Sequence, residues 1–155
     1  MIQVVLMCGP AGSGKSAHAR RLAARGFALL SFDALAWELG HQEHPLPDAA
    51  RDEVHTALRH VLTEHVSRGA SVVVDSSFWS RASRDSYRQF LAGLGVEPVV
   101  HYVTAPSDVI LDRLARRSNS GPDDIAVPEH QALTYMAAFQ VPTDAEGPML
   151  RVDGA

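Results

Sequence analysis

Apolar and polar positions alternate in blocks along the chain. Residues 2–8 (IQVVLMC) are β-branched and apolar on both faces, the pattern of a strand buried in a parallel sheet. Gly9 to Gly14 interrupt it, and residues 16–25 then read as a helix stopped by Gly26. Residues 27–32 (FALLSF) predict a second strand, and Asp33 to Leu39 a helical turn ending at Gly40. After the loop at 41–47, Val54, Leu58, Val61, Leu62 and Val66 recur at helical spacing between Pro47 and Gly69. Residues 71–75 (SVVVD) and 98–103 (PVVHYV) predict two more strands, separated by a helix over 81–94 striped with Tyr87, Phe90, Leu91 and Leu94. A helix from Pro106 to about Arg117, a polar Gly- and Pro-bearing segment at 118–128, a helix over 129–139 and a short strand at 149–152 complete the chain.

Strands alternating with helices predict an α/β fold, a parallel sheet covered on both faces. Ligands of such sheets bind beyond the carboxyl ends of the strands. The 155 residues predict a single domain, 1–155, with a mobile lid at about 117–128.

The sharpest chemical signal lies between the first strand and the first helix. Residues 9–16 read Gly-Pro-Ala-Gly-Ser-Gly-Lys-Ser and match G-x-x-x-x-G-K-[ST] at every fixed position. Gly9, Gly12 and Gly14 let the backbone bend into an anion nest, to which Ala11 and Ser13 add amides. The helix that follows adds its positive end. Lys15 is suited to neutralise β- and γ-phosphates, and the Ser16 hydroxyl to bind Mg²⁺. ATP, or another nucleoside triphosphate, with Mg²⁺ is the ligand this pattern predicts.

Other candidates sit at strand ends. Asp33, in Ser31-Phe32-Asp33, has two readings: a base accepting the proton of an attacking hydroxyl, or a cap for the next helix. Asp75 ends an apolar strand where a second acid on the Mg²⁺ side belongs, or orients a neighbouring loop. Ser76 and Ser77 follow it rather than another acid, which argues against a motor-type ATPase. Arg81, Arg84 and Arg88 share a helix face, suited to orienting an anionic substrate, to bracing Asp75 or simply to solvent, and Phe78 and Trp79 either wall a pocket or join the core. Arg113 and Arg117 end a helix before the polar segment, where cations are favoured anyway; Arg117 is the candidate lid arginine that stabilises a transferring phosphoryl group.

Composition limits the partners. The net charge of −4 gives no global field for nucleic acid or anionic membrane. The lone cysteine, Cys8, forms no internal disulfide, and no apolar run reaches membrane length, so the expected location is the cytoplasm. Lys15 is the sole lysine beside 13 arginines, a bias that a G- and C-rich genome explains, yet the lysine survives where a compact ammonium is required. The eight histidines show no zinc spacing, and His44-Pro45-Leu46-Pro47 reads either as a plain turn or as part of an acceptor pocket.

Together Gly9–Ser16, Ser31–Asp33, Val72–Arg84 and Leu114–Arg117 resemble, in order, the small P-loop kinases: the kinase half of polynucleotide kinases, the zeta-toxin group and chloramphenicol phosphotransferase. The resemblance covers most of the chain. It implies a three-layer, nucleoside-kinase-like P-loop fold with a five-stranded parallel sheet, and ATP-dependent phosphorylation of a hydroxyl. It also implies that Asp33 is the base, Arg117 the lid arginine, Arg81 and Arg84 acceptor contacts, and 139–146 a segment near the nucleotide base. The acceptor it suggests is a small molecule, with a nucleic-acid 5′-hydroxyl less favoured by the charge. A nucleotide-binding regulatory module and an NTP hydrolase are the alternatives.

Overall fold

The computed structural model describes residues 2–42 and 46–155. The elements run β1 (Val4–Cys8), α1 (Lys15–Ala24), β2 (Ala28–Ser31), α2 (Phe32–Glu38), α3 (Asp48–Ser67), β3 (Val72–Asp75), α4 (Arg81–Gly93), β4 (Val99–Thr104), α5 (Ser107–Ala115), α6 (Glu129–Ala138) and β5 (Met149–Asp153). Short 3₁₀ turns occupy Pro122–Asp124 and Asp144–Glu146.

The five strands form one parallel sheet in the order β2-β3-β1-β4-β5. β1 is central and buried at every position. Its residues alternate between two cores, as a period of two requires. Val4, Leu6 and Cys8 face one side with Leu58 and Leu62 of α3 and Tyr87 and Leu91 of α4. Val5 and Met7 face the other with Ala19 and Leu22 of α1. A third cluster, Ile110, Leu114, Val127 and Ala132, joins α5 to α6.

The helices that follow the neighbouring strands β1 and β3 thus pack on opposite faces. The chain leaves the carboxyl ends of these two strands towards opposite faces and opens a crevice there, the place where open α/β sheets bind ligands. Register fixes what surrounds it. Ser31 pairs with Asp75, and Leu6 with Val74, so the β2 exit, Asp75 and the turn after β1 stand side by side at one edge.

The 118–128 segment, expected to be a lid, is tied together within itself. The Asp124 carboxylate accepts from the Ser118 and Ser120 hydroxyls at 2.8 and 2.7 Å and from their backbone N–H groups at 3.0 and 3.1 Å. Those bonds hold its carboxyl well below the usual carboxylate range. Asn119 Oδ1 accepts from Ala126 N at 2.8 Å.

Candidate nucleotide site

The turn after β1 has the geometry its glycines foretell. Gly12 and Gly14 have φ of +83° and +103°, the left-handed region that only glycine occupies cheaply. The loop is supported from several sides. Gly9 N donates to Ser77 O at 3.0 Å, Ser13 N to Pro10 O at 3.1 Å, and Arg113 Nη1 to Gly12 O at 3.0 Å. A Cβ on Gly12 would stand 3.1 Å from Ile110 O, so α5 backs the loop closely.

The start of α1 breaks the local rules of helix formation. Gly14 provides no side-chain cap, the first turn contains no acid, and its first residue is Lys15. A cation there opposes the helix dipole, and the first-turn N–H groups lack a side-chain acceptor. Among α1–α6, α1 alone lacks both a side-chain cap and a first-turn acid. Ser31 caps α2 through Ala34 N at 3.1 Å, and Ser80 caps α4 through Ser83 N at 3.1 Å. Local inconsistency of this kind is expected where a ligand completes the structure. Ser13 Oγ adds a buried hydroxyl with no partner among the described residues. These features fit a polyanion such as a triphosphate. Lys15 Nζ meanwhile donates to Pro10 O at 3.3 Å.

Beside the loop, Ser16 Oγ donates to Asp75 Oδ2 at 3.0 Å, and Asp75 is only 8% exposed. A hydroxyl and a carboxylate side by side are hard oxygen donors, and they fit Mg²⁺.

Asp33 is exposed one position inside α2. Ser31 takes the capping role, so the ordinary reading of Asp33 as the N-cap does not hold; its charge still favours the helix start. The β2–β3 register sets it two residues beyond the level of Asp75.

Arg117 donates from Nη1 to Ile125 O at 3.5 Å, linking the end of α5 to the following loop. Arg117 also lines a cavity of about 530 Å³ with Leu114, Asn119, Val127 and Gln42. The stretch at 43–45, with His44 and Pro45, lies outside the described residues.

Arg84 differs from the expected acceptor contact. It is fully buried and pairs in fork fashion with Glu146, Nε to Oε1 at 2.9 Å and Nη2 to Oε2 at 3.1 Å. Its Nη1 donates to Phe78 O at 2.8 Å. A guanidinium so enclosed acts as a strut. Arg88 Nη1 reaches the same carboxylate at 3.2 Å, so it is not the solvated residue its helix position allows. Arg81 stays exposed at the start of α4, with Nε 3.4 Å from Asp85. Phe78 is core, edge-on to Tyr87 at 5.0 Å, whereas Trp79 is 44% exposed. The 139–146 segment lies against the start of α4: Gln140 N donates to Trp79 O at 2.8 Å and Gln140 Oε1 accepts from Arg81 N at 2.9 Å. Cys8 is buried and its thiol is pushed up to about 11, chiefly by burial, which makes it a small core residue rather than a nucleophile.

Two contributors lie outside the motifs that the sequence displays. Glu146 lies in a Thr-x-x-Glu pattern that marks a capping box, and Thr143 N donates to Glu146 Oε2 at 3.1 Å. Its second role, neutralising two arginines about 60 residues away, has no local signal. Gly154 follows β5 and touches the loop; a glycine after a strand is too common to mark this.

A family described as an AAA domain matches residues 4–142. No curated protein matches the chain. Among solved structures, an unliganded sugar kinase from Janibacter sp. HTCC2649 is 20% identical with a TM-score of 0.71, covering 99% of this chain and 86% of its own. A gluconokinase from Sinorhizobium meliloti 1021 is 23% identical with a TM-score of 0.70, covering 99% and 83%. Chaetomium thermophilum Kti12, in complex with ADP-AlF3, is 17% identical with a TM-score of 0.67, covering 97% and 88%. The chain shares its fold with the sugar kinase and the gluconokinase. No helix among the described residues is long and apolar enough to cross a membrane.

Proposed function

The chain belongs to the AAA-domain family matched over 4–142, and on that premise we propose that it transfers the γ-phosphate of ATP to a hydroxyl of a small-molecule acceptor. The observation that carries the reading is the start of α1: an uncapped helix that opens on Lys15, beside the Ser16–Asp75 pair. That arrangement supports a triphosphate as the ligand.

Lys15 and the loop amides hold the phosphates. Mg²⁺, held by Ser16 and Asp75, would supply positive charge to the β- and γ-oxygens. Asp33 accepts the acceptor's hydroxyl proton; its exposure at the crevice edge supports access to a diffusible substrate. Arg117 stabilises charge on the transferring group when the 117–128 segment closes. Arg113 secures the loop through Gly12 O. Arg81 remains available to the acceptor; Arg84 acts from behind, through Phe78. The sugar kinase and gluconokinase among the structural relatives support a polyhydroxylated acceptor.

A screen of hydroxyl compounds for acceptor-stimulated ADP release tests the proposal. Stimulation by a sugar or sugar acid supports it. Phosphate release at full rate without any acceptor contradicts it in favour of a hydrolase, nucleotide binding without turnover favours a regulatory module, and stimulation only by a polynucleotide moves the acceptor to a 5′-hydroxyl.

A further inference from the structure

Gly154 follows β5 directly. Its N–H donates to Thr104 O at 2.7 Å, which extends the β4–β5 ladder one step past the Thr104–Asp153 pair. That anchors Gly154 to the sheet. Its Cα lies against the phosphate loop: a Cβ built there would collide with Ser13 O and stand 2.7 Å from Val103 Cγ1. The contact is tight from the other side too. A Cβ on Gly14 would stand 2.9 Å from Gly154 O and 3.1 Å from Gly154 Cα. Two glycines therefore face each other, one on the loop and one beyond the last strand.

The conformation of Gly154 is not left-handed, so the demand on it is steric: only a residue without Cβ lets the two backbones approach this closely. The Ser13–Gly14 peptide cannot retreat freely. Ser13 is fully buried, and the loop behind it is fastened by Gly9 N to Ser77 O and by Arg113 to Gly12 O.

We propose that Gly154 is a positioning residue of the nucleotide site, the strand exit acting as a rigid stop that sets the Ser13–Gly14 peptide. That peptide leads straight into Lys15 and Ser16, so its placement aims the first-turn amides of α1 and the Ser16 hydroxyl. The inference rests on the reading of Gly9–Ser16 as a phosphate loop and deepens it. The nucleotide site extends beyond the motif to a residue about 140 positions away, through backbone contact alone.

The test is calorimetric titration of Mg²⁺·ATP into four proteins: the unchanged chain, Gly154→Ala, a chain ending at Asp153, and Gly93→Ala. Gly93 has no atom within 4 Å of a built Cβ and controls for a generic glycine replacement. Gly154→Ala should weaken ATP binding about tenfold, equivalent to ~1.4 kcal/mol, while Gly93→Ala leaves it unchanged. The chain ending at Asp153 removes the stop without introducing a clash. It should also bind more weakly, with a ligand-free melting temperature close to that of the unchanged chain. Should Gly154→Ala fold poorly, this second variant decides alone. Wild-type affinity in both altered chains, or a lowered melting temperature with unaltered affinity, overturns the inference and leaves the phosphate loop standing. Failure of the unchanged chain itself to bind ATP overturns the phosphate-loop reading and, with it, this one.

Discussion

The Ser16 hydroxyl, in the first turn after the glycine loop, donates to Asp75 Oδ2 at 3.0 Å across 59 residues of sequence. The bond joins the two halves of a cation site: the oxygen after the lysine and the carboxylate that ends the neighbouring strand. Asp75→Asn should leave the fold intact, because an amide oxygen still accepts from Ser16. The charge that attracts Mg²⁺ is lost. The expected result is an ATP-induced thermal shift that no longer grows when Mg²⁺ is added. An undiminished Mg²⁺ response would place the cation elsewhere.

Asp33 is the residue on which the phosphotransferase reading depends most. Asp33→Asn should bind Mg²⁺·ATP as the unchanged chain does, yet lose acceptor-dependent turnover by about 10²–10⁴-fold, the usual contribution of a general base. Steady-state rates at saturating ATP measure this. Turnover within a factor of a few would remove Asp33 from the proton path.

The Arg84–Glu146 pair is enclosed, with side-chain exposures of 0% and 2%. Removing one partner strands the other, so Arg84→Met should destabilise the chain by about 3 kcal/mol, the lower end for breaking a buried pair, since Arg88 still reaches Glu146. Urea unfolding at pH 7 measures it. The hydrogen bond from Arg84 holds the Glu146 carboxyl down from 4.5 to about 2. A carboxyl lowered in the folded state stabilises it above the unfolded value, and this contribution drains away as pH falls from about 4.5 to about 2. Glu146→Gln should flatten the stability curve in that acid window.

A second window lies higher. His18 Nε2 and His101 Nδ1 are 3.0 Å apart between α1 and β4. Burial, and behind it the charge of His18, lower His101 from 6.5 to about 4. Burial lowers His18 as well. The folded state prefers neutral rings, so their contribution is complete above about pH 6.5 and is lost as pH falls towards 4. His101→Gln should reduce the loss of stability between pH 6.5 and 4, leaving the share that other buried histidines such as His55 contribute, and leave the Glu146 window untouched. Urea titrations at intervals of half a pH unit separate the two.

The sequence was readable wherever structure is decided locally. β1 reads as buried because all five of its residues are apolar, and the glycines, the sole lysine and Ser16 lie together within residues 9–16, whereas Asp75, 59 residues from Ser16, is marked only by the apolar strand it ends. Arg84 shows where local reading ends. Its helix position allows a solvent-facing role, and only the arrival of Glu146 from 62 residues away makes it a buried strut. Ser31 and Asp33 are both cap-forming residue types two positions apart, and nothing local in the sequence says which of them caps α2. Gly154 is the extreme case: its meaning depends on how β5 aligns with β4, and strand alignment is a property of the whole sheet.

The central claim is that the turn between β1 and α1 binds a triphosphate through its amides and Lys15. Thermal melting with and without Mg²⁺·ATP, in the unchanged chain and in Lys15→Ala, tests it most directly. The expected result is a clear rise in melting temperature for the unchanged chain and none for Lys15→Ala, with both melting alike when ATP is absent. An equal rise in both, or no rise in the unchanged chain, would contradict it.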